Sequence, residues 1–361
     1  MKIVAICPFS LDRLTGTPIR VKTTARALSV KNDVTILSTF GESGSRYVVR
    51  ELGNTRLLGF TFKSVGALRS IKPDVLHVFT TAGVLAALIY KLCFKPSTKI
   101  VFESHGFAWY ELKGQFFIKR FLFLLLDIAG LLFANRIIAM SHSQANFLNK
   151  FVLNKNKIQV IWGSINSKVS FSPMNNQNKK LVGYVGNSSW WQGLPLIIDS
   201  AKILLKSHPE IRFNLAGFDF SDKDKFPELG NVSYFGKVSR QVLEELLNTS
   251  SVLLSPRVPE RVSELQFPHK LAEYVSASRP IIVSNVSDQS MIINEAKCGL
   301  VVRELNAENL AQSIVDLFSL GESERELMGL NAFKYAENHF GFDVFQSHIE
   351  TLYDGLSSRM A

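Results

Sequence analysis

Short apolar runs alternate with helix-length segments along the whole chain, and this alternation restricts the fold more than any other feature. The runs are nearly continuous, as is typical of strands buried on both faces of a parallel sheet. In the first half they lie at residues 2–7, 33–37, 75–79, 99–102, 136–140 and 158–161. In the second half they lie at residues 181–185, 212–216, 232–235, 252–254, 280–283 and 299–302.

Segments with the 3.6-residue period of an amphipathic helix separate these runs. They lie at residues 19–28, 194–206, 239–247, 268–277 and 307–318. Strand and helix therefore alternate in both halves, which predicts an α/β protein of two doubly wound, Rossmann-like domains. A length of 361 residues fits two domains of ordinary size.

The polar stretch at residues 172–180, SPMNNQNKK, is the best candidate for the link between the two domains. We therefore predict an N-terminal domain over residues 1–171 and a C-terminal domain over residues 172–341. The last residues, 342–361, begin with the pattern of an amphipathic helix. We expect this helix to pack back on the N-terminal domain, and packing on the second domain is the alternative.

The positive charge of the chain is confined to its first half. Residues 1–170 carry 23 Lys and Arg against 8 Asp and Glu, a formal charge of +15, whereas residues 171–361 carry 18 against 23, a charge of −5. A charge that served only solubility would not segregate in this way. The pattern predicts an anionic partner for the N-terminal half, and a solvated basic face is the alternative.

The sequence predicts neither secretion nor a structural metal site. Cys7, Cys93 and Cys298 are far apart and outside any Cys/His cluster, and the first residues form a strand-like run rather than a signal peptide. A reducing, cytoplasmic compartment is therefore expected. One Asp-x-Asp pair, Asp222 and Asp224, could hold a divalent ion on a diphosphate, but its charged surroundings are typical of a solvated loop.

The most apolar segment, residues 116–134, is interrupted by Lys119, Arg120 and Asp127. Its uninterrupted parts are far shorter than the roughly 20 residues that a membrane span needs. One interpretation is a buried helix. The other is a partly exposed apolar face, with Lys113, Lys119 and Arg120 close to lipid headgroups, that rests on a membrane surface.

Residues 253–284 contain the pattern that points most directly to chemistry. A strand is followed by a charged loop, and a helix then opens at Pro268, where the missing N–H of proline costs nothing. Free amides of the first turn, near His269 and Lys270, favour an anion such as a diphosphate. Lys270 opposes the helix dipole there, and Glu273 follows on the same face. The pair is either a ligand site or a surface ion pair.

The run FPHKLAEY at residues 267–274, followed by VSASRPIIVSN, resembles the donor-site signature of retaining glycosyltransferases of family 4, which have the GT-B fold. Further motifs of that family occur in its order along nearly the whole chain. They include PDVLHV, FESHG and ANRIIAMS in the first half, and YVGNSSWWQG, FNLAGF, LLSPR and KCGLVV in the second. The resemblance implies two Rossmann-like domains that face a central cleft.

The resemblance also implies roles for individual residues. Glu273 would bind the ribose of a nucleotide diphosphate sugar, and the diphosphate would be held by Phe267, Pro268, His269 and Lys270. Gly16, Gly186, Asn187 and Arg257 would complete the donor site. His105 corresponds to the family's histidine near the sugar, whereas His77 lies on an apolar strand and is expected in the core.

Two positions depart from the family pattern. The signature usually contains a second glutamate eight positions before Glu273, but Leu265 stands there and Glu264 is one residue out of register. Either Glu264 serves the sugar, as in our catalytic assignment of His105 and Glu264, or the first glutamate is missing. The usual Arg and Lys of the second domain's first loop are replaced by Asn187 and Gln192, which shifts phosphate binding onto Arg257 and Lys270.

These observations predict a cytoplasmic enzyme that transfers a hexose, with retention, from a UDP- or GDP-sugar to a glycan or an anionic lipid-linked saccharide. The resemblance implies neither a metal nor a cofactor. We expect peripheral contact with the inner face of the membrane and no nucleic-acid partner. Two alternatives stay open: a GT-B nucleotide-sugar epimerase, and a catalytically silent module that binds membranes.

Overall fold

The computed structural model describes residues 1–12, 16–165, 179–219 and 226–357. The chain divides into two compact units, residues 1–166 with 342–361, and residues 167–341. The predicted boundary after residue 171 lies outside the described residues, as do most of the polar link and the Asp222/Asp224 pair. The boundary therefore stays a prediction.

Unit 1 is built on a parallel sheet, which in the described residues has seven strands in the order β3-β2-β1-β4-β5-β6-β7. The strands are β1 (Lys2–Cys7), β2 (Asp33–Ser38), β3 (Val48–Glu51), β4 (Val75–Phe79), β5 (Lys99–Ser104), β6 (Arg136–Ala139) and β7 (Ile158–Val160). The helices are α1 (Gly16–Leu28), α2 (Leu57–Ile71), α3 (Val84–Cys93), α4 (Ala108–Glu111), α5 (Phe117–Phe133), α6 (His142–Leu148) and, at the end of the chain, α14 (Phe342–Ser357).

Unit 2 contains a second parallel sheet, with six strands in its described part in the order β10-β9-β8-β11-β12-β13. The strands are β8 (Leu181–Val185), β9 (Arg212–Ala216), β10 (Val232–Gly236), β11 (Val252–Ser255), β12 (Ile281–Ser284) and β13 (Gly299–Val302). The helices are α7 (Leu194–Ser207), α8 (Arg240–Thr249), α9 (Arg261–Glu264), α10 (His269–Ser276), α11 (Gln289–Ala296), α12 (Ala307–Ser319) and α13 (Glu322–Phe340). The predicted class of two doubly wound α/β domains is confirmed.

Apolar residues fill the space between each sheet and its helices. The central strands β1, β4 and β11 are buried along nearly their whole length, which explains their continuous apolar sequences. Each unit has its own core cluster. In unit 1 that core includes Phe345 and Ile349 of α14, which packs against α1.

Helix α5 is only partly buried, in contrast to the interpretation of residues 116–134 as a buried helix. Its second half is anchored by Leu126 and Leu131, which are buried, but its first two turns are exposed. Phe116, just before the helix, is 87% exposed and Ile118 is 81% exposed. Among the described residues, no helix has the length and hydropathy needed to cross a membrane.

Candidate functional site

The strand order reverses once in each sheet, between β1 and β4 and between β8 and β11. Ligands of doubly wound proteins bind outside the carboxyl ends of the strands at such a reversal. The predicted site residues follow these strands: Gly16 opens α1 after β1, Gly186 follows β8, and Arg257 follows β11. His105 follows β5, which neighbours β4.

Two buried cations lie close together in unit 2. Arg257 is 1% exposed, and Lys270 Nζ is shielded from solvent. Burial lowers the pKa of Lys270 well below its usual value, and the nearby Arg257 charge lowers it further. Burial also lowers the pKa of Arg257 to about 10. Such a cluster is costly unless an anion is bound, because each charge has lost its hydration.

Neither cation has a carboxylate partner among the salt bridges of the described residues. Arg257 donates one hydrogen bond of 2.8 Å from a terminal nitrogen to the Gln266 carbonyl, while its Nε has no partner in the described parts of the chain. Lys270 Nζ likewise has no hydrogen-bond acceptor there and lies 4.3 Å from the centre of the Tyr184 ring. Unused donors of two cations therefore converge in one place.

The loop after β8 lies against the same cations. A Cβ atom on Gly186 would stand 2.5 Å from Tyr184 Oη and 3.1 Å from Lys270 Nζ, so a side chain there would collide with the cluster. Tyr184 is buried, and its hydroxyl donates to the carbonyl of Asn187. Asn187 itself is exposed, and its Oδ1 accepts from the Ser189 amide.

Helix α10 is held by packing of the residue before it and by hydrogen bonds of its last turn. Pro268 is the N-cap, so the helix begins at His269, one residue later than predicted. Phe267 is buried and packs 6.0 Å from the Phe340 ring. One turn into the helix, the hydroxyl of Tyr274 accepts from the Val185 amide at 2.7 Å and donates to the Val185 carbonyl. The end of β8 and the last turn of α10 are thereby held together.

The Glu273 carboxylate pairs with Arg240 of α8 at 2.5 Å, and the side chain is 26% exposed. The alternative of a surface ion pair between Lys270 and Glu273 is therefore wrong, because Lys270 points into the buried cluster instead. Arg240 also pairs with Glu244 on its own helix at 2.8 Å. A ligand hydroxyl at Glu273 would share the carboxylate with Arg240.

Glu264, the other predicted carboxylate, ends the short helix α9. It is 40% exposed and pairs with Arg261 at 2.9 Å. Its neighbours Ser263 and Leu265 are buried, whereas Glu264 lies on the outside of α9. Its catalytic assignment stays a prediction.

His105 and Gly16 form the predicted site in unit 1. Gly16 begins α1, and Thr17 beside it places its hydroxyl oxygen 3.4 Å from His105 Nδ1. The other ring nitrogen, Nε2, lies 2.8 Å from the Glu103 carboxylate. His105 therefore connects the end of β5 with the start of α1.

The sequence prediction missed Glu103, Arg20 and Tyr184. Arg20 and Glu103 form an ion pair of 2.9 Å with both side chains almost wholly buried. A signal existed, because a glutamate in an otherwise apolar strand must find a buried partner. The sequence does not show which cation supplies it. His77 is fully buried, as expected for a core residue.

The three basic residues assigned to a membrane surface surround the exposed end of α5. Lys113 and Lys119 are exposed. Arg120 folds back, and its guanidinium donates to the Trp109 carbonyl and lies 4.2 Å from the centre of the Trp109 ring.

In the described parts of the chain, no group of three or more His, Cys, Asp and Glu side chains could hold a metal ion.

Comparison with known proteins relates this geometry to a family. Residues 15–168 match the profile described as Glycosyltransferase Family 4, and residues 166–335 match that of glycosyl transferases group 1. The chain belongs to these glycosyltransferases. The predicted family and the GT-B fold are thereby confirmed, and the two matched segments together span both units.

Individual relatives of this glycosyltransferase cover most of its length. The capsular polysaccharide biosynthesis glycosyltransferase CapM of Staphylococcus aureus is 22% identical over 89% of this chain and 90% of its own. A Campylobacter jejuni N,N'-diacetylbacillosaminyl-diphospho-undecaprenol alpha-1,3-N-acetylgalactosaminyltransferase is 25% identical, covering 81% and 80% of the two chains. The structure of Anabaena HepE in complex with UDP-glucose matches with a TM-score of 0.75 and 16% identity, covering 99% of this chain and 100% of that one.

Proposed function

We propose that this glycosyltransferase is a retaining enzyme that moves a hexose from a UDP- or GDP-sugar to a lipid-linked or other glycan acceptor at the cytoplasmic face of a membrane. The observation that carries the donor part is the pair of buried cations, Arg257 and Lys270, without a carboxylate partner among the described residues. The diphosphate of the donor is an anion with enough charge to compensate both.

The donor contacts follow from the fold of unit 2. The diphosphate lies against Arg257, Lys270 and the first amides of α10, because these groups supply positive charge and free donors. Gly186 leaves room for it. Glu273 accepts hydrogen bonds from the ribose hydroxyls. The protein's own cations neutralise the phosphates, so the reaction requires no metal ion and no cofactor.

The same groups act during the reaction. When the glycosidic bond to the diphosphate breaks, negative charge develops on the leaving phosphate oxygen, and fixed cations and helix amides stabilise it. His105 contacts the transferred sugar, and Glu264 is the candidate carboxylate on the sugar side. Retention of the anomeric configuration is proposed on the resemblance to retaining transferases.

The proposed acceptor rests on charge and on the relatives. The first half of the chain has a formal charge of +15, which attracts a diphosphate-linked lipid or an anionic membrane. The name of the C. jejuni relative states a diphospho-undecaprenol substrate. The exposed apolar end of α5 with Lys113 and Lys119 fits the headgroup region of an anionic membrane.

Substitution of Glu273 tests the donor site. The variant Glu273→Ala should lose donor turnover and keep its fold, since the side chain is partly exposed and its ion pair with Arg240 contributes under about 1 kcal/mol. Glu244→Ala is the matched control, because Glu244 shares the same Arg240 partner from α8. Near-normal turnover in Glu273→Ala, or equal losses in both variants, would refute the assignment.

A further inference from the structure

Glu103 lies at the centre of a buried polar cluster in unit 1. Its carboxylate is fully buried, and each oxygen accepts two hydrogen bonds. Oε1 accepts from Arg20 Nε at 2.9 Å and from His105 Nε2 at 2.8 Å. Oε2 accepts from His77 Nε2 at 3.2 Å and from Arg20 Nη2 at 3.4 Å. The cluster joins β4, β5 and α1.

The negative charge of Glu103 is balanced by Arg20, without a charge on His77. The Arg20 charge and the histidine hydrogen bonds hold the pKa of Glu103 well below its usual value although burial opposes this, so Glu103 is an anion. Burial lowers the pKa of His77, which is therefore neutral at pH 7. The ionised Glu103 only accepts hydrogen bonds, so the proton of neutral His77 lies on Nε2, and Nδ1 therefore accepts from Tyr353 Oη, 2.8 Å away.

The same reasoning defines the orientation of His105. An ionised carboxylate only accepts hydrogen bonds, so the nitrogen 2.8 Å from Glu103 Oε1 must carry a proton. That nitrogen is Nε2. The opposite nitrogen, Nδ1, then points at the start of α1, where Thr17 Oγ1 lies 3.4 Å away. Phe79 confines the ring, with 6.0 Å between the two ring centres in an edge arrangement.

We propose that Glu103 is the positioning residue for His105: it keeps the imidazole proton on Nε2 and thereby presents Nδ1, in the neutral ring, as an acceptor for a substrate hydroxyl beside Gly16. This inference rests on the proposed function, because only a sugar substrate supplies that hydroxyl. Arg20 fixes the carboxylate from the other side. It donates to Glu103 and to the Ile161 carbonyl at 3.1 Å, so the carboxylate cannot turn away.

The tautomer can be measured without any substrate. Nitrogen NMR of the protein labelled at histidine distinguishes a proton on Nε2 from one on Nδ1, and the variant His105→Asn identifies the His105 signals. We expect His105 in the Nε2-protonated form in the wild-type protein. A neutral His105 with its proton on Nδ1 overturns the proposal, whether or not the protein transfers sugars.

Kinetics test whether Glu103 acts through His105. In Glu103→Gln we expect kcat/KM to fall by about 10–100-fold, the size of effect known for partners that orient metal-binding histidines. The same change in a His105→Asn background should cause little further loss of kcat/KM, because the effects of substituting residues that act as a unit do not add. Equal losses in both backgrounds would show a merely structural role and overturn the proposal.

A second buried carboxylate of the same unit is the matched control. Asp127 is 1% exposed, and its carboxylate accepts from Thr81 and from the Ala108 amide. Asp127→Asn should reduce activity by the same factor in the wild-type and His105→Asn backgrounds. Because Glu103→Gln leaves Arg20 without a counter-ion, Glu103→Asp is measured beside it, and a smaller loss with the charge retained is expected. An inactive wild-type enzyme would refute the proposed function and leave the NMR result to decide on Glu103.

Discussion

At the scale of single residues, Lys270, which we propose as a ligand of the donor diphosphate, shows how ligand binding can conflict with stability. The ammonium is shielded from water, and no described residue accepts a hydrogen bond from it. An unpaired charge held there would cost several kcal/mol in the unliganded protein, which is why burial lowers the pKa of Lys270. The sequence indicated this conflict, since Lys270 stands in a first helical turn where its charge opposes the dipole. Only the family resemblance placed Arg257 at the same phosphates, because the proximity of the two cations depends on how β11 and α10 pack.

The variant Lys270→Met therefore separates binding from folding. Removing one charge-assisted contact of about 1.5–3 kcal/mol should weaken the binding of a nucleoside diphosphate by roughly 10–100-fold. The unliganded variant should melt at the same temperature as wild type or higher, because a buried amino group without a hydrogen-bond partner has been replaced by an apolar chain of similar length. Calorimetric titration and thermal melts measure both. Unchanged affinity, or a large loss of stability, would contradict the proposed role of Lys270.

Donor binding should also take up protons. Burial and Arg257 lower the Lys270 pKa in the free protein, and a bound diphosphate would raise it again because an anion favours the charged form. Affinity should therefore fall as pH rises through the window between the free and bound pKa values. The binding enthalpy of UDP, titrated in buffers of different ionisation enthalpy, measures the uptake. In Lys270→Met the proton uptake contributed by Lys270 should be absent, so the binding enthalpy should depend less on the buffer. A buffer dependence equal to that of the wild-type protein would contradict the assignment.

At the scale of elements, the sequence predicted the inner strands well, but not the edge strand β3, the first residue of α10 or the exposure of α5. β3 was missed because it is an edge strand: its sequence VVRE is largely exposed and lacks the continuous apolar run of the inner strands. The start of α10 was misplaced by one residue because Pro268 can stand either at the N-cap or in the first turn. The sequence of α5 could not decide between a buried and an exposed helix, since both contain many apolar residues.

We expect the exposed apolar residues at the start of α5 to contribute to lipid binding. The double variant Phe116→Ser with Ile118→Ser should reduce partitioning to vesicles of mixed phosphatidylglycerol and phosphatidylcholine by about tenfold or more, given about 1.5–3 kcal/mol for each large apolar side chain buried. Phe62→Ser on α2 is the matched control, because Phe62 is also 70% exposed in unit 1. Binding should weaken with added salt and on pure phosphatidylcholine. Equal losses in both variants, or no binding of the wild-type protein, would contradict the prediction.

At the scale of the whole molecule, charge and fold are divided in the same way. The basic excess belongs to the half that forms most of unit 1, and the buried cations Arg257 and Lys270 belong to a unit whose half of the chain has a net negative charge. Net charge alone would have placed every anionic ligand in the first half. Local burial is why we propose unit 2 for the donor instead, because charges are screened less when they are buried than when they are exposed.

The most direct test of the central claim is an assay of sugar transfer followed by proton NMR. The enzyme is incubated with a panel of UDP- and GDP-sugars, with and without a polyprenyl-diphosphate-linked saccharide. We expect nucleoside diphosphate to be released only when the acceptor is present, and the product to keep the anomeric configuration of the donor. Inversion of that configuration would contradict the retaining mechanism. A free sugar isomer formed without acceptor, or no turnover with any donor, would contradict the assignment as a transferase of this kind.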